Sequence, residues 1–125
     1  AIEPLNSKEC NFINLIGDAI SIIDEINRPD VRLTIDFYHM NEENDDMEAI
    51  TMTAGPYLEH VHLADSGRMN PGTGSYDYPS FFAALKEIGY DNRASLECKY
   101  RDYENDVKFS LRFLKDAWAE VPPVF

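Results

Sequence analysis

Two hydrophobic rhythms alternate along the chain. Short apolar runs bounded by turn residues read as strands, and longer segments with apolar residues every third or fourth position read as helices. The strand rhythm covers Ala1 to Leu5, Val31 to Tyr38, Tyr57 to Ala64 and Arg93 to Lys99. The helical rhythm runs from Cys10 to Ile26, with Phe12, Leu15, Ile16, Ala19, Ile20 and Ile23 on one stripe. It returns from Glu42 to Thr53, where Asn41 can cap and the acidic first turn suits the helix dipole. A third helix spans Pro79 to Ile88 and is closed by Gly89. A fourth spans Asp102 to Trp118, with Val107, Leu111, Leu114 and Trp118 at helical spacing. Arg28-Pro29-Asp30, Gly55-Pro56, Pro71-Gly72-Thr73-Gly74 and Val121-Pro122-Pro123 supply the breaks.

The order is strand then helix, four times, in units of about 30 residues. Such alternation predicts an α/β fold with parallel strands and right-handed crossovers. A complete (β/α)8 TIM barrel takes about 250 residues. The 125 residues here hold four βα units, half of one, read as a single domain over 1–125. A doubly wound four-stranded sheet has the same periodicity. No GxGxxG or Walker loop follows any strand, which weakens a nucleotide-binding reading.

Every strand finishes on a residue able to bind a cation: Glu3, Asp36, His62 and Glu97. Catalytic groups of parallel α/β folds gather at this end of the sheet. Alternation puts Val31, Leu33 and Ile35 on one side of the second strand and Arg32, Thr34 and Asp36 on the other. Val61 and Leu63 likewise oppose His60 and His62, and Ala94, Leu96 and Cys98 oppose Ser95 and Glu97. The apolar set suits covering helices, and the polar set then converges on the barrel axis. Three carboxylates and an imidazole suit Mn, Mg or Co rather than a thiolate-rich structural zinc site. A single carboxylate at a strand end is ordinarily a cap or a solvated loop residue. Four in register on successive strands point to a shared cation.

His39 and Arg68 fall in the loops beyond Asp36 and His62. They read equally as contacts to substrate oxygens or as surface residues. Glu9 reads as a hydroxyl acceptor or as a favourable charge at a helix start. His60 reads as a satisfied histidine of the barrel wall, and Gly72 and Gly74 as loop geometry.

Composition adds limits. A content of 44% hydrophobic and 27% charged residues is that of a folded chain. The formal net charge of −12 repels phosphate backbones and anionic bilayers, so neither nucleic acid nor membrane is an expected partner. Cys10 and Cys98 lack CxxC spacing and read as reduced thiols of a cytoplasmic protein. No apolar run reaches the ~18 residues of a membrane helix. A start at Ala1 rather than Met is expected of a cut or processed fragment.

The segments Ile2-Glu3-Pro4-Leu5-Asn6, Ile35-Asp36-Phe37-Tyr38-His39-Met40-Asn41, His60-Val61-His62-Leu63-Ala64-Asp65 with Arg68, Pro71-Gly72-Thr73-Gly74, Leu85-Lys86-Glu87-Ile88-Gly89-Tyr90-Asp91 and Ser95-Leu96-Glu97 resemble the xylose-isomerase-like barrel family. Within it they are most similar to D-tagatose and D-psicose 3-epimerases and related sugar phosphate isomerase/epimerase proteins. The resemblance covers essentially the whole chain, but only the last four βα units of that family. It therefore implies the C-terminal half of a (β/α)8 TIM barrel.

It further implies that Glu3, Asp36, His62 and Glu97 hold a divalent metal, Mn first, with Mg, Co or Zn as alternatives. Glu3 and Glu97 would also be the acid/base pair. Glu9, His39 and Arg68 would touch a small-molecule sugar substrate. The implied reaction is isomerisation or epimerisation through an enediolate that the cation stabilises. A non-catalytic half-barrel or interaction module is the alternative. Its open sheet edges would recruit a second copy into a homo-oligomer, or the missing N-terminal half-barrel. An endonuclease IV-like phosphodiesterase would need a histidine-rich zinc cluster, which three histidines and the acidic charge disfavour.

Overall fold

Three short parallel strands carry the chain: β1 (Leu33–Asp36), β2 (Leu58–Leu63) and β3 (Ala94–Leu96), in the order β1-β2-β3. The computed structural model describes residues 1–123, so the last two residues of the expected 1–125 domain lie outside the described residues. The strand expected over Ala1 to Leu5 is reduced to one parallel bridge between Ile2 and Leu33. The Ile2 N–H donates to the Arg32 carbonyl (2.7 Å), and the Thr34 N–H donates to the Ile2 carbonyl (2.8 Å). The next inward-bonding residue is Pro4, which has no N–H, so the ladder stops there.

Five α-helices are described: α1 (Ile16–Ile26), α2 (Phe37–Glu42), α3 (Met47–Ala54), α4 (Tyr78–Glu87) and α5 (Tyr103–Glu120). Two of the expected helices need correction. The helix expected from Cys10 starts only at Ile16. The Asn14 side chain donates to the Leu5 and Cys10 carbonyls (2.7 and 2.8 Å) and holds the preceding residues as a loop. Phe12, placed on the helical stripe, is 79% exposed. The helix expected over Glu42 to Thr53 is two helices. Asn41 lies inside α2, its amide bonded to the Phe37 carbonyl, and caps nothing. Asp46 caps α3 instead, accepting from the Ala49 N–H at 3.1 Å, while Asn44 turns the chain through the left-handed region (φ 57°).

Leu33, Ile35, Val61 and Leu63 project from one sheet face into the main core. Ile16, Ala19 and Ile23 of α1 and Phe81, Phe82 and Leu85 of α4 cover them. Phe37 stacks on Phe81, centroids 4.4 Å apart, and tilts against Tyr78 at 4.8 Å. Each such side chain is worth about 1.5–3 kcal/mol of burial.

The cover is incomplete over β3. Ala94 and Leu96, expected beneath a helix, instead line an apolar trough of about 440 Å³ with Leu111, Leu114 and Trp118 of α5. Leu111 is 47% exposed there. Among the described residues no helix is long and apolar enough to cross a membrane.

Candidate metal and substrate site

The strand ends meet. One ligand atom from each of Glu3, Asp36, His62 and Glu97 lies within 4.8 Å of the other three. His62 is the hub: its Nδ1 is 3.1 Å from Glu3 Oε1, 3.0 Å from Glu97 Oε2 and 3.7 Å from Asp36 Oδ2. Register explains the convergence, since Asp36 pairs with His62 across β1 and β2, and His62 with Ser95 across β2 and β3. Glu97 follows β3 directly, its N–H bonded to the Leu63 carbonyl at 3.1 Å.

Asp36 is the most informative member. It is 1% exposed. Oδ1 ends β1 and starts α2 by accepting from the Tyr38 and His39 N–H groups (2.9 and 3.3 Å). Oδ2 is buried without a hydrogen-bond partner and faces the cluster. A buried carboxylate oxygen with nothing donating to it is costly unless a cation compensates it. Three carboxylates around a divalent ion leave a net charge near −1, and Arg68 beside them brings the group to neutrality. The four residues present therefore fit a hard or borderline divalent cation.

Arg68 lies across the cluster, 3.1 Å from Glu97, 3.7 Å from Asp36 and 3.4 Å from Glu9. Its guanidinium also sits over the Tyr38 ring at 5.0 Å. Its backbone is left-handed (φ 60°), a conformation that costs a residue with a side chain about 1–2 kcal/mol.

His39 is 2% exposed and is oriented by Asn6. The Asn6 backbone N–H (3.1 Å) and side-chain amide (2.7 Å) both approach Nδ1. A backbone N–H can only donate, so the neutral ring carries its proton on Nε2. That Nε2–H faces Arg68 Nη1 at 3.2 Å. Two donors 3.2 Å apart have no room for an atom between them, so an oxygen acceptor reaches both from one side.

All seven residues singled out in the sequence are therefore brought to one place, Glu9 through Asn6 (3.1 Å) and Arg68 rather than at a helix start. His60 stays outside the quartet, its ring edge-on to His62 at 5.1 Å. Sequence reasoning assigned no role to Asn6, Tyr38 or Glu42. Glu42 ties two loops together, accepting from Lys8 Nζ (2.9 Å) and Tyr76 OH (3.0 Å). Asn6 stands within the first quoted motif, which was its only signal.

Parallel strands that deliver a carboxylate–imidazole quartet to one mouth define an α/β protein with a possible metal site. A family model described as Xylose isomerase-like TIM barrel matches residues 1–117, and the chain belongs to that family. L-ribulose 3-epimerase from Methylomonas sp. (strain DH-1) is 41% identical over 96 residues, 77% of this chain and 34% of that protein. Ketose 3-epimerase from Arthrobacter globiformis is 38% identical over 121 residues, 96% of this chain and 42% of that protein. The crystal structure of 3-keto-D-glucoside 4-epimerase from E. coli matches with a TM-score of 0.85 at 33% identity, covering 91% of this chain and 44% of that one. The chain thus spans less than half the length of these relatives, and its fold is about half of a barrel. The relatives are epimerases, members of the isomerase class.

Proposed function

We propose that this chain carries the metal and acid/base centre of a divalent-metal-dependent ketose 3-epimerase. The observation that carries the proposal is the convergence of Glu3, His62 and Glu97 on the buried Asp36 Oδ2, which no group hydrogen-bonds. Glu3, Asp36, His62 and Glu97 would hold the ion, Mn first, with Mg, Co or Zn as alternatives. When bound, that ion would supply Lewis-acid polarisation of a carbonyl and its neighbouring hydroxyl.

The chain's own residues account for the remainder. Glu3 precedes β1 and Glu97 follows β3, so the two carboxylates reach the centre from the outer strands, one on each side of His62. One takes the proton from carbon and the other returns a proton to the opposite face, which inverts that carbon. Each positioned acid or base is typically worth about 10²–10⁴-fold. The His39 Nε2–H and the Arg68 guanidinium converge where a sugar oxygen would accept from both. Glu9, accepting from Asn6 and Arg68, is placed to take a hydrogen bond from a hydroxyl.

The relatives are more than twice as long, and the family is described as a TIM barrel. We therefore read the exposed strand β3 and its apolar trough as an edge that an N-terminal half-barrel, or a second copy in a homo-oligomer, would close. The free thiols Cys10 and Cys98 suit a cytoplasmic setting.

The test is hydrogen exchange on the full chain that carries this segment, loaded with Mn²⁺ and given D-fructose or another ketose in deuterated water. Deuterium is expected at a single carbon, with Glu97→Gln abolishing its entry while metal still binds weakly. Exchange at wild-type rates in that variant, or rates indifferent to chelation of the metal, would refute the proposal.

A further inference from the structure

Asp65 received no role from the sequence, yet it is 1% exposed and the loop after β2 is wound around it. Its Oδ1 accepts from the Ser66 and Tyr76 N–H groups at 2.8 and 3.2 Å. Its Oδ2 accepts from the Gly72 N–H at 2.9 Å. Its own N–H donates to the Met69 carbonyl at 2.7 Å. One carboxylate therefore gathers three amides from an eleven-residue stretch of loop. Packing leaves it no freedom, since a Cβ on Gly74 would overlap Asp65 Oδ1 and Ser66 Oγ.

Gly67 and Arg68 lie inside this wrap, both in the left-handed region (φ 70° and 60°). For arginine that conformation persists only where its surroundings hold it. Two tethers flank it: the Met69 carbonyl is bound by Asp65, and the Arg68 carbonyl accepts from the Lys99 N–H at 2.7 Å. The far side of the loop is anchored on α5, where Ser110 accepts from Asn70 (3.0 Å) and donates to the Pro71 carbonyl (2.8 Å). Removal of the Asp65 carboxylate would free the Ser66, Gly72 and Tyr76 amides, leaving the turn that carries Gly67 and Arg68 held only by the two backbone tethers, Asp65 N–H to Met69 and Lys99 N–H to Arg68.

We propose that Asp65 is the positioning residue of this site: its buried carboxylate folds the 65–76 loop and thereby holds the Arg68 guanidinium over Glu9, His39 and Glu97. The proposal rests on reading Arg68 as a substrate contact. It adds a residue that never touches substrate but sets where a substrate contact stands. Asparagine in its place can accept on one side only and turns an NH₂ against the other amide donors, so the wrap cannot close.

The test compares wild type, Asp65→Asn, Arg68→Ala and the double variant in the full, Mn²⁺-loaded chain. Asp65→Asn is expected to lower kcat/KM for a ketose by roughly 10²-fold, the scale of an ångström-size misplacement. Mn²⁺ is expected to remain bound, because the Asp65 carboxylate bonds to loop amides and to no member of the quartet. In the Arg68→Ala background the same substitution should cost nothing further, since its effect passes through Arg68. Losses that multiply, or wild-type kinetics in Asp65→Asn, would overturn the proposal.

Trypsin supplies a readout independent of turnover, cleaving after Arg68 faster in Asp65→Asn than in wild type. If the wild type turns over no ketose, the epimerase reading fails while cleavage still decides this inference, with an unchanged rate overturning it. Gly74→Ala, whose methyl must displace Asp65 Oδ1, is the second variant and should reproduce both effects should Asp65→Asn not fold.

Discussion

Asp36→Asn separates two roles that a single carboxylate combines. Oδ1 caps α2 through the Tyr38 and His39 amides, and asparagine caps as well as aspartate does. Oδ2 is the buried oxygen that faces the cluster without a hydrogen bond. The substitution puts an NH₂ there, which cannot ligate a cation. In the wild type a cation present at a hundred times its Kd stabilises the fold by about 2.7 kcal/mol. A chain of this size gains roughly 4 °C per kcal/mol, so the expected rise in melting temperature is about 11 °C.

Perturbing only an outer-shell partner of a metal ligand already costs 10–100-fold in affinity, so losing a ligand is set at about a hundredfold or more. The same cation concentration then equals Kd, and the gain falls to about 0.4 kcal/mol, or roughly 2 °C. Scanning calorimetry with and without Mn²⁺ measures both quantities. The cation-free melting temperature of Asp36→Asn should stay close to wild type, because the cap survives. Asp36→Ala loses the cap as well and should fall about 1 kcal/mol lower without metal. A full Mn²⁺-induced rise in Asp36→Asn would show that Oδ2 ligates nothing.

Three further outcomes follow from the packing and charges. Phe37→Ala removes a fully buried ring stacked on Phe81 and should cost about 3–5 kcal/mol in urea unfolding; a loss below 1 kcal/mol would mean that the cluster closes over the gap. Gly72→Ala should destabilise through both a left-handed φ of 89° and a methyl 2.7 Å from Phe113 Cγ, by about 2 kcal/mol or more, whereas Gly17→Ala, with open space around it, should not. The hydrogen bond from Lys8, and next that from Tyr76, hold the Glu42 carboxyl below its ordinary value of 4.5. A depressed folded value means that stability is fully present above the ordinary value and lost as pH falls through the lowered one. Glu42→Gln should therefore flatten the acid limb of urea midpoints measured against pH; an unchanged limb would show that another carboxylate sets it.

Most of the candidate site was legible because its candidate ligands obey a local rule. A candidate ligand recurs at or beside the end of each short apolar run, so Glu3, Asp36, His62 and Glu97 stand out by position as candidates. The helix boundaries were less legible where two side chains compete to cap. Asn41 is a good cap in isolation, but Asp36 had already started a helix that swallowed it, and Asp46 started the next. The contacts of the supporting residues were not legible. Asn6 reaches His39 across 33 residues, and nothing near either one signals the pairing.

By itself, the order of apolar and polar residues determined that this chain alternates parallel strands with helices and ends each strand on a possible ligand. Those properties depend on neighbours one to four positions apart, which a sequence displays directly. The tertiary structure alone decided that Pro4 cuts the first strand to one bridge, that α5 leaves β3 half covered, and that His39, Arg68 and Asp65 are bound into one assembly. Such facts depend on contacts between residues tens of positions apart. They are set by how helices settle on a twisted sheet, and no local pattern records that.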